Sequence, residues 1–155
     1  MADVFRGSSI STVEDSGRFK VPGIFQKLIE AKLGAEAEFF ITSMDGKRAR
    51  LYPIKEWEAK EAILSTLPES DPDREFFQDM TSFYGAPAAM DKAGRMQIPP
   101  VLRAKANLKG EVVVLGKAGK EQPGFLEVVN REQFELELAE KQKSLDGASR
   151  SRIGL

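Results

Sequence analysis

One pattern occurs twice in this chain and constrains its fold more than any other feature. Val13-Glu14-Asp15-Ser16-Gly17-Arg18-Phe19-Lys20-Val21-Pro22 lies over Met90-Asp91-Lys92-Ala93-Gly94-Arg95-Met96-Gln97-Ile98-Pro99 without a gap, at a separation of 77 positions. Both copies read acid-x-x-Gly-Arg-x-x-(Val/Ile)-Pro. The same separation sets Ile24 over Val101, Phe25 over Leu102 and the run Leu51–Trp57 over Val128–Phe134, while the stretch between needs gaps. A short pattern recurs by chance. One followed by the same apolar and helical signals is an internal duplication. The 155 residues therefore read as two units, at 5–66 and 88–143, separated by a helical insertion at 67–87 and followed by a flexible tail at 144–155.

Each unit is predicted to open with a strand, Ser8–Val13 in the first and Ala88–Met90 in the second. A tight turn follows, in which Glu14 and Asp91 accept bonds from turn amides and Gly17 and Gly94 supply the positive φ. A short strand ends at Pro22 or Pro99, each of which lacks a ladder donor. Next comes an amphipathic helix. It carries Ile24, Phe25, Leu28, Ile29 and Leu33 in unit one; in unit two it starts at Pro100, with Val101, Leu102 and Leu108 facing inward. A hairpin then pairs Glu38–Ser43 with Arg48–Tyr52, and Glu111–Leu115 with Phe125–Val129. The closing helices are Lys55–Thr66 and Arg131–Lys143, the second opened by an Asn130–Gln133 capping box. In the insertion, Asp71-Pro72 is an N-cap and N1 pair. Phe76, Phe77, Met80, Phe83 and Tyr84 then share one helix face, expected to pack in the core, with a subunit interface as the alternative.

Composition removes several classes of function. The chain has no Cys and no His. Disulfides, thiolate catalysis, Cys metal sites and His-based acid–base machines are excluded. Carboxylate-only catalysis and an oxygen-ligand metal site stay open on composition. No HExxH, GxSxG, Gly-Lys-Thr/Ser phosphate loop or EF-hand pattern occurs, however, and nothing positive supports them, so no enzyme, metal site or cofactor is expected. The longest apolar run is Val112–Leu115, far short of the roughly 20 residues of a membrane span. Asp3 and Arg6 come early and no apolar leader region follows, so no secretory signal is expected and the cytoplasm is the expected location.

The net charge of −1 hides a segregated pattern. Residues 90–120 carry seven bases against two acids, and residues 56–82 eight acids against two bases. A basic face can coexist with a neutral total. The bland alternative is a set of solvated helix faces. The turns carry the sharper signal. Each sets an Arg beside a Gly, with Lys20 or Lys92 close in sequence, and a guanidinium suits phosphate and guanine edges. Two readings are open: the Arg stands clear at a hairpin tip, or it pairs with Glu14 or Asp91 and merely holds the turn. They are compatible if the acid aims the Arg.

Together with the opening Phe5-Arg6-Gly7 and the Leu51-Tyr52-Pro53…Trp57 run, the two turns at this spacing resemble the MraZ family over about residues 4–143. The resemblance implies an α+β, mostly β fold. Two tandem SpoVT-AbrB-type swapped-hairpin units would form one double-unit barrel with short flanking helices. It implies a nucleoid-associated transcriptional repressor. Such a protein assembles as a ring homo-oligomer and binds double-stranded DNA at short direct repeats ahead of the division and cell-wall gene cluster. No membrane or small-molecule substrate is implied. The family's DNA-contacting positions carry over onto Arg18 and Arg95, and then onto Arg6, Lys20 and Lys92. Where the family turn usually begins with Asp and has Lys before Gly-Arg, unit one has Glu14 and Ser16 and unit two has Ala93. The alternatives are a non-enzymatic scaffold assembled through the Phe76–Tyr84 face, and an AbrB-type antitoxin on its own operator.

Overall fold

The computed structural model describes residues 3–120 and 122–155. β1 (Ser8–Val13) and β2 (Arg18–Lys20) flank the first turn, followed by α1 (Gly23–Lys32), β3 (Glu38–Thr42), β4 (Arg48–Pro53) and α2 (Ile54–Leu64). After α3 (Pro72–Phe83), β5 (Ala86–Ala89) and β6 (Arg95–Gln97) flank the second turn. Then come α4 (Pro100–Lys105), β7 (Gly110–Lys117), β8 (Phe125–Asn130), α5 (Arg131–Lys143) and α6 (Gly147–Ser151). The strands form one antiparallel sheet in the order β5-β3-β4-β8-β7-β1-β2-β6. Its two ends, β5 and β6, are joined by the second turn and touch, so the sheet is a nearly closed barrel. This is the α+β, mostly β architecture that the repeat and the resemblance lead one to expect. No helix among the described residues is long and apolar enough to cross a membrane.

The pairing is exchanged between the halves. β1 takes β7 as its ladder partner, with Ser9 opposite Val114, and β5 takes β3, with Ala86 opposite Ile41. The short strands β2 and β6 pair with each other around Phe19 and Met96, and β4 pairs with β8 around Arg50 and Glu127. Inward residues at repeat-equivalent positions make the core: Phe19 and Met96, Val21 and Ile98, Phe25 and Leu102 are all at most 2% exposed. The gaps in the repeat also acquire a cause. α1 has 10 residues and α4 only 6, one helical turn fewer. The longer β7–β8 loop restores the alignment, because Val114 pairs with Val128 just as Ile41 pairs with Leu51.

Several expectations change. Val101 is 43% exposed rather than inward, and its equivalent Ile24 is 59% exposed. Both occupy the first turn of a short helix whose buried side begins one residue later, at Leu102 and Phe25. The aromatic stripe of α3 is core only at its end, where half-buried Tyr84 packs against the barrel interior. Phe76, Phe77 and Phe83 are exposed, and Thr81 is the buried residue of this helix, its carbonyl accepting the Thr42 hydroxyl at 2.8 Å. The barrel closes without α3, which lies outside it with one apolar face uncovered. Asp71 caps α3 through the Asp73 amide, and Asn130 caps α5 through the Gln133 amide. In the stretch read as a loose tail, Asp146 caps the five-residue helix α6.

Candidate nucleic-acid interface

The two turns share one backbone design. The Glu14 amide donates to the Arg18 carbonyl and the Gly17 amide to the Glu14 carbonyl, each at 2.8 Å. The Asp91 amide donates to the Arg95 carbonyl at 2.8 Å and the Gly94 amide to the Asp91 carbonyl at 3.0 Å. Gly17 and Gly94 have φ of +91° and +79°, where a side chain is strained. The turns are then bound to each other's strands: Ile98 donates to the Gly17 carbonyl and Val21 to the Gly94 carbonyl.

Alternation along β2 and β6 sends Phe19 and Met96 into the core and leaves Arg18, Lys20, Arg95 and Gln97 on the outer face. Their register sets Arg18 across from Gln97 and Lys20 across from Arg95. The result is a two-stranded ribbon whose own outward residues are three cations and one amide. Exposed Lys92 sits in the second turn beside it. Of the residues singled out in the sequence, the fold thus gathers Arg18, Arg95, Lys20, Lys92 and the four turn residues. Arg6 stands apart. It precedes the far end of β1, whose six residues span about 20 Å. It lies by the β7–β8 loop, where Gly116 donates to the Gly7 carbonyl.

The turn acids behave differently, for reasons of length. Asp91 is short and folds back on its own turn, accepting the Ala93 and Arg95 amides at 2.9 Å. The Arg95 amide is the main reason its carboxyl is held below the ordinary range, with the Ala93 amide and the Arg18 and Arg95 charges acting the same way. Glu14 is one methylene longer. It leaves its own turn and pairs with Arg95 of the other, Nε to Oε1 at 2.9 Å. Arg95 is therefore engaged, whereas Arg18 has no ion pair among the described residues. Because the Asp91 value is depressed in the folded chain, its contribution to stability is complete above the ordinary carboxylate range. It is lost as pH falls through the depressed value. The stability gap between wild type and Asp91→Ala is expected to narrow on acidification, measured by urea unfolding over a pH series. A gap independent of pH would show that the charge does not hold the turn.

Buried Glu127 lies on the opposite seam, between β4 and β8. Arg48 and Arg50 both reach it at 3.0 Å and Lys117 at 3.5 Å. Arg50 and Glu127 occupy equivalent places in the repeat and face each other across the ladder. Arg50 also donates to the Tyr52 hydroxyl at 2.9 Å, and burial pushes the Tyr52 phenol up. This network binds the halves together and is separate from the ribbon.

Comparison with known proteins follows the same lines. The family model described as "MraZ protein, putative antitoxin-like" matches residues 85–154. A protein of Acidobacterium capsulatum named Transcriptional regulator MraZ is 40% identical, over 84% of this chain and 85% of that one. Its namesake in Koribacter versatilis is 44% identical over 73% and 76% of the two chains. One from Salmonella paratyphi A is 34% identical over 76% of each.

Proposed function

The chain belongs to the MraZ family, and from that premise we propose that it is a sequence-specific DNA-binding transcriptional regulator. Its role is to repress the promoter of a division and cell-wall gene cluster. It does so as a ring of identical copies seated on short direct repeats of double-stranded DNA. The observation that carries this reading is the β2–β6 ribbon, whose strands present Arg18, Lys20 and Arg95 on the outer face, with Glu14 reaching in from the first turn to Arg95 alone. A two-stranded ribbon fits the major groove, where an Arg can take both acceptors of a guanine edge. Arg18 is the free guanidinium and the better base reader. Lys20, Lys92 and Arg95 set the register by contacting phosphates, and Arg6 serves only as a distant phosphate contact.

One chain offers few cations, and each phosphate contact is weak and screened by salt. Linked copies multiply them through effective concentration, and successive subunits facing the same way match direct repeats. The exposed aromatic face of α3 is the apolar surface that such self-association would cover. The protein needs no cofactor, turns over no small molecule and works on the nucleoid in the cytoplasm.

A mobility-shift titration on the chain's own upstream region, at a series of salt concentrations, tests this. Log affinity is expected to fall with log salt at about 0.9 per phosphate neutralised, and a scrambled fragment of equal length is expected to bind more weakly. Equal binding to both fragments, or affinity that ignores salt, would refute it.

A further inference from the structure

The two turns share a backbone but not a backing. A Cβ placed on Gly17 would overlap the guanidinium of Arg103, which reaches over from α4 in the other half. A Cβ placed on Gly94 would overlap the side-chain amide of Gln26, from α1. Gln26 and Arg103 are equivalent positions of the repeat, 77 residues apart. Each glycine is therefore required for its φ, and each also leaves room for the end of a side chain from the other half to rest against it. Gln26 is settled there, its Nε2 donating to the Val21 carbonyl at 2.6 Å. Arg103 is not. Its Nη1 is buried and has no hydrogen-bond partner among the described residues, while the residue as a whole is only half-buried. A guanidinium cannot shed its proton, and an unpaired buried donor is costly. Gln26 shows that an uncharged side chain fills this place at no such cost, so packing alone does not call for an arginine.

The surroundings give the charge a use. Arg103 and Lys109 line a surface cleft with Glu14 and Asp15 of the first turn. Glu14 is already engaged by Arg95, and Arg103 forms no ion pair among the described residues. The cleft next to the first tip therefore holds Arg103 beside Lys109 and Asp15, and no ion pair among the described residues ties its guanidinium to either acid. The second tip is backed by neutral Gln26 and carries its extra cation, Lys92, in the turn itself.

We propose that Arg103 is a further DNA-binding residue, which offers its guanidinium to a backbone phosphate beside the first turn. The two tips, alike in shape, then differ in what backs them: a guanidinium behind the first and a neutral amide behind the second. The inference rests on the DNA-binding reading and adds a residue to it.

Full-length wild type, Arg103→Gln and Arg103→Lys are titrated with the upstream duplex at several salt concentrations, alongside thermal unfolding. Arg103→Gln copies the side chain that already fits the other turn, so its melting temperature is expected to match wild type. Its log–log salt slope is expected to be shallower by about 1 for each first turn engaged, with affinity several-fold lower at physiological salt. Arg103→Lys, which keeps the charge, is expected to recover most of the slope. A wild type that binds no duplex overturns both this assignment and the DNA reading. A wild type that binds, with Arg103→Gln showing the same slope and affinity, overturns the assignment alone. A Lys variant no better than Gln in slope also overturns it, since the role would then be one of shape.

Discussion

Arg18→Ala is expected to weaken binding to the cognate duplex by about 1–3 kcal/mol per engaged tip, roughly fivefold to a hundredfold, and to relax preference at one base position. The loss multiplies where several copies engage one site. Folding is expected to be untouched, because Arg18 is exposed and has no ion pair among the described residues. Arg95 is in a different position. Its Nε is held by Glu14 at 2.9 Å, which offsets its charge and limits its reach while leaving the Nη donors available. Glu14→Gln removes that tie, and is expected to raise affinity and steepen the salt slope. Fluorescence anisotropy with a labelled duplex reads both effects. If Arg18→Ala bound like wild type, Arg18 would not be the base reader.

Glu127→Ala is expected to be the most damaging single change outside the apolar core. The carboxylate is buried and faces three cations, of which Arg48 and Arg50 are themselves largely covered. Stripping one partner from a buried ion pair costs about 3–5 kcal/mol, because charges remain without compensation. The two arginines keep some access to water, which places the expected loss at about 2–3 kcal/mol. For a chain of this length that is a fall in melting temperature of roughly 4–12 °C. Calorimetry or thermal circular dichroism measures it. Glu127→Gln keeps the shape and loses the charge, so it should fall between. A loss under half a kilocalorie for Glu127→Ala would mean the network does not bind the halves together.

The repeat by itself makes the turns legible. Gly-Arg at fixed offsets, closed by Pro, has few backbone solutions, and both turns adopt the same one. The apolar residues that follow at equal spacing, Phe25 and Leu102, are core in both halves. What a one-dimensional pattern does not carry is which side of a helix has something to pack against. Val101 and Ile24 fit an amphipathic period, yet their helices are short and present only their later residues to the barrel. The α3 stripe has a good helical period for the same reason that a subunit interface does, and the barrel needs no cover there. Nor does sequence distance say which acid meets which arginine: Glu14 pairs across the ribbon because its extra methylene carries it past its own turn. Arg103 is not among the residues the motif singles out, although the sequence holds a signal for it. Position 26 is neutral and its repeat equivalent, 103, is a cation, a difference that lies only a few residues past the prolines.

The exchange of partners also governs how the chain is made. β1 comes out of the ribosome early, but its ladder partner β7 begins at Gly110, about a hundred residues downstream. Until then β1 holds only its single pairing to β2, and β3 waits for β5 with an open edge. The nascent chain thus spends most of its synthesis with sticky strand margins that a neighbouring copy on the same messenger could capture. A nearly closed barrel woven from both halves leaves the first unable to reach its final form before the second has been translated.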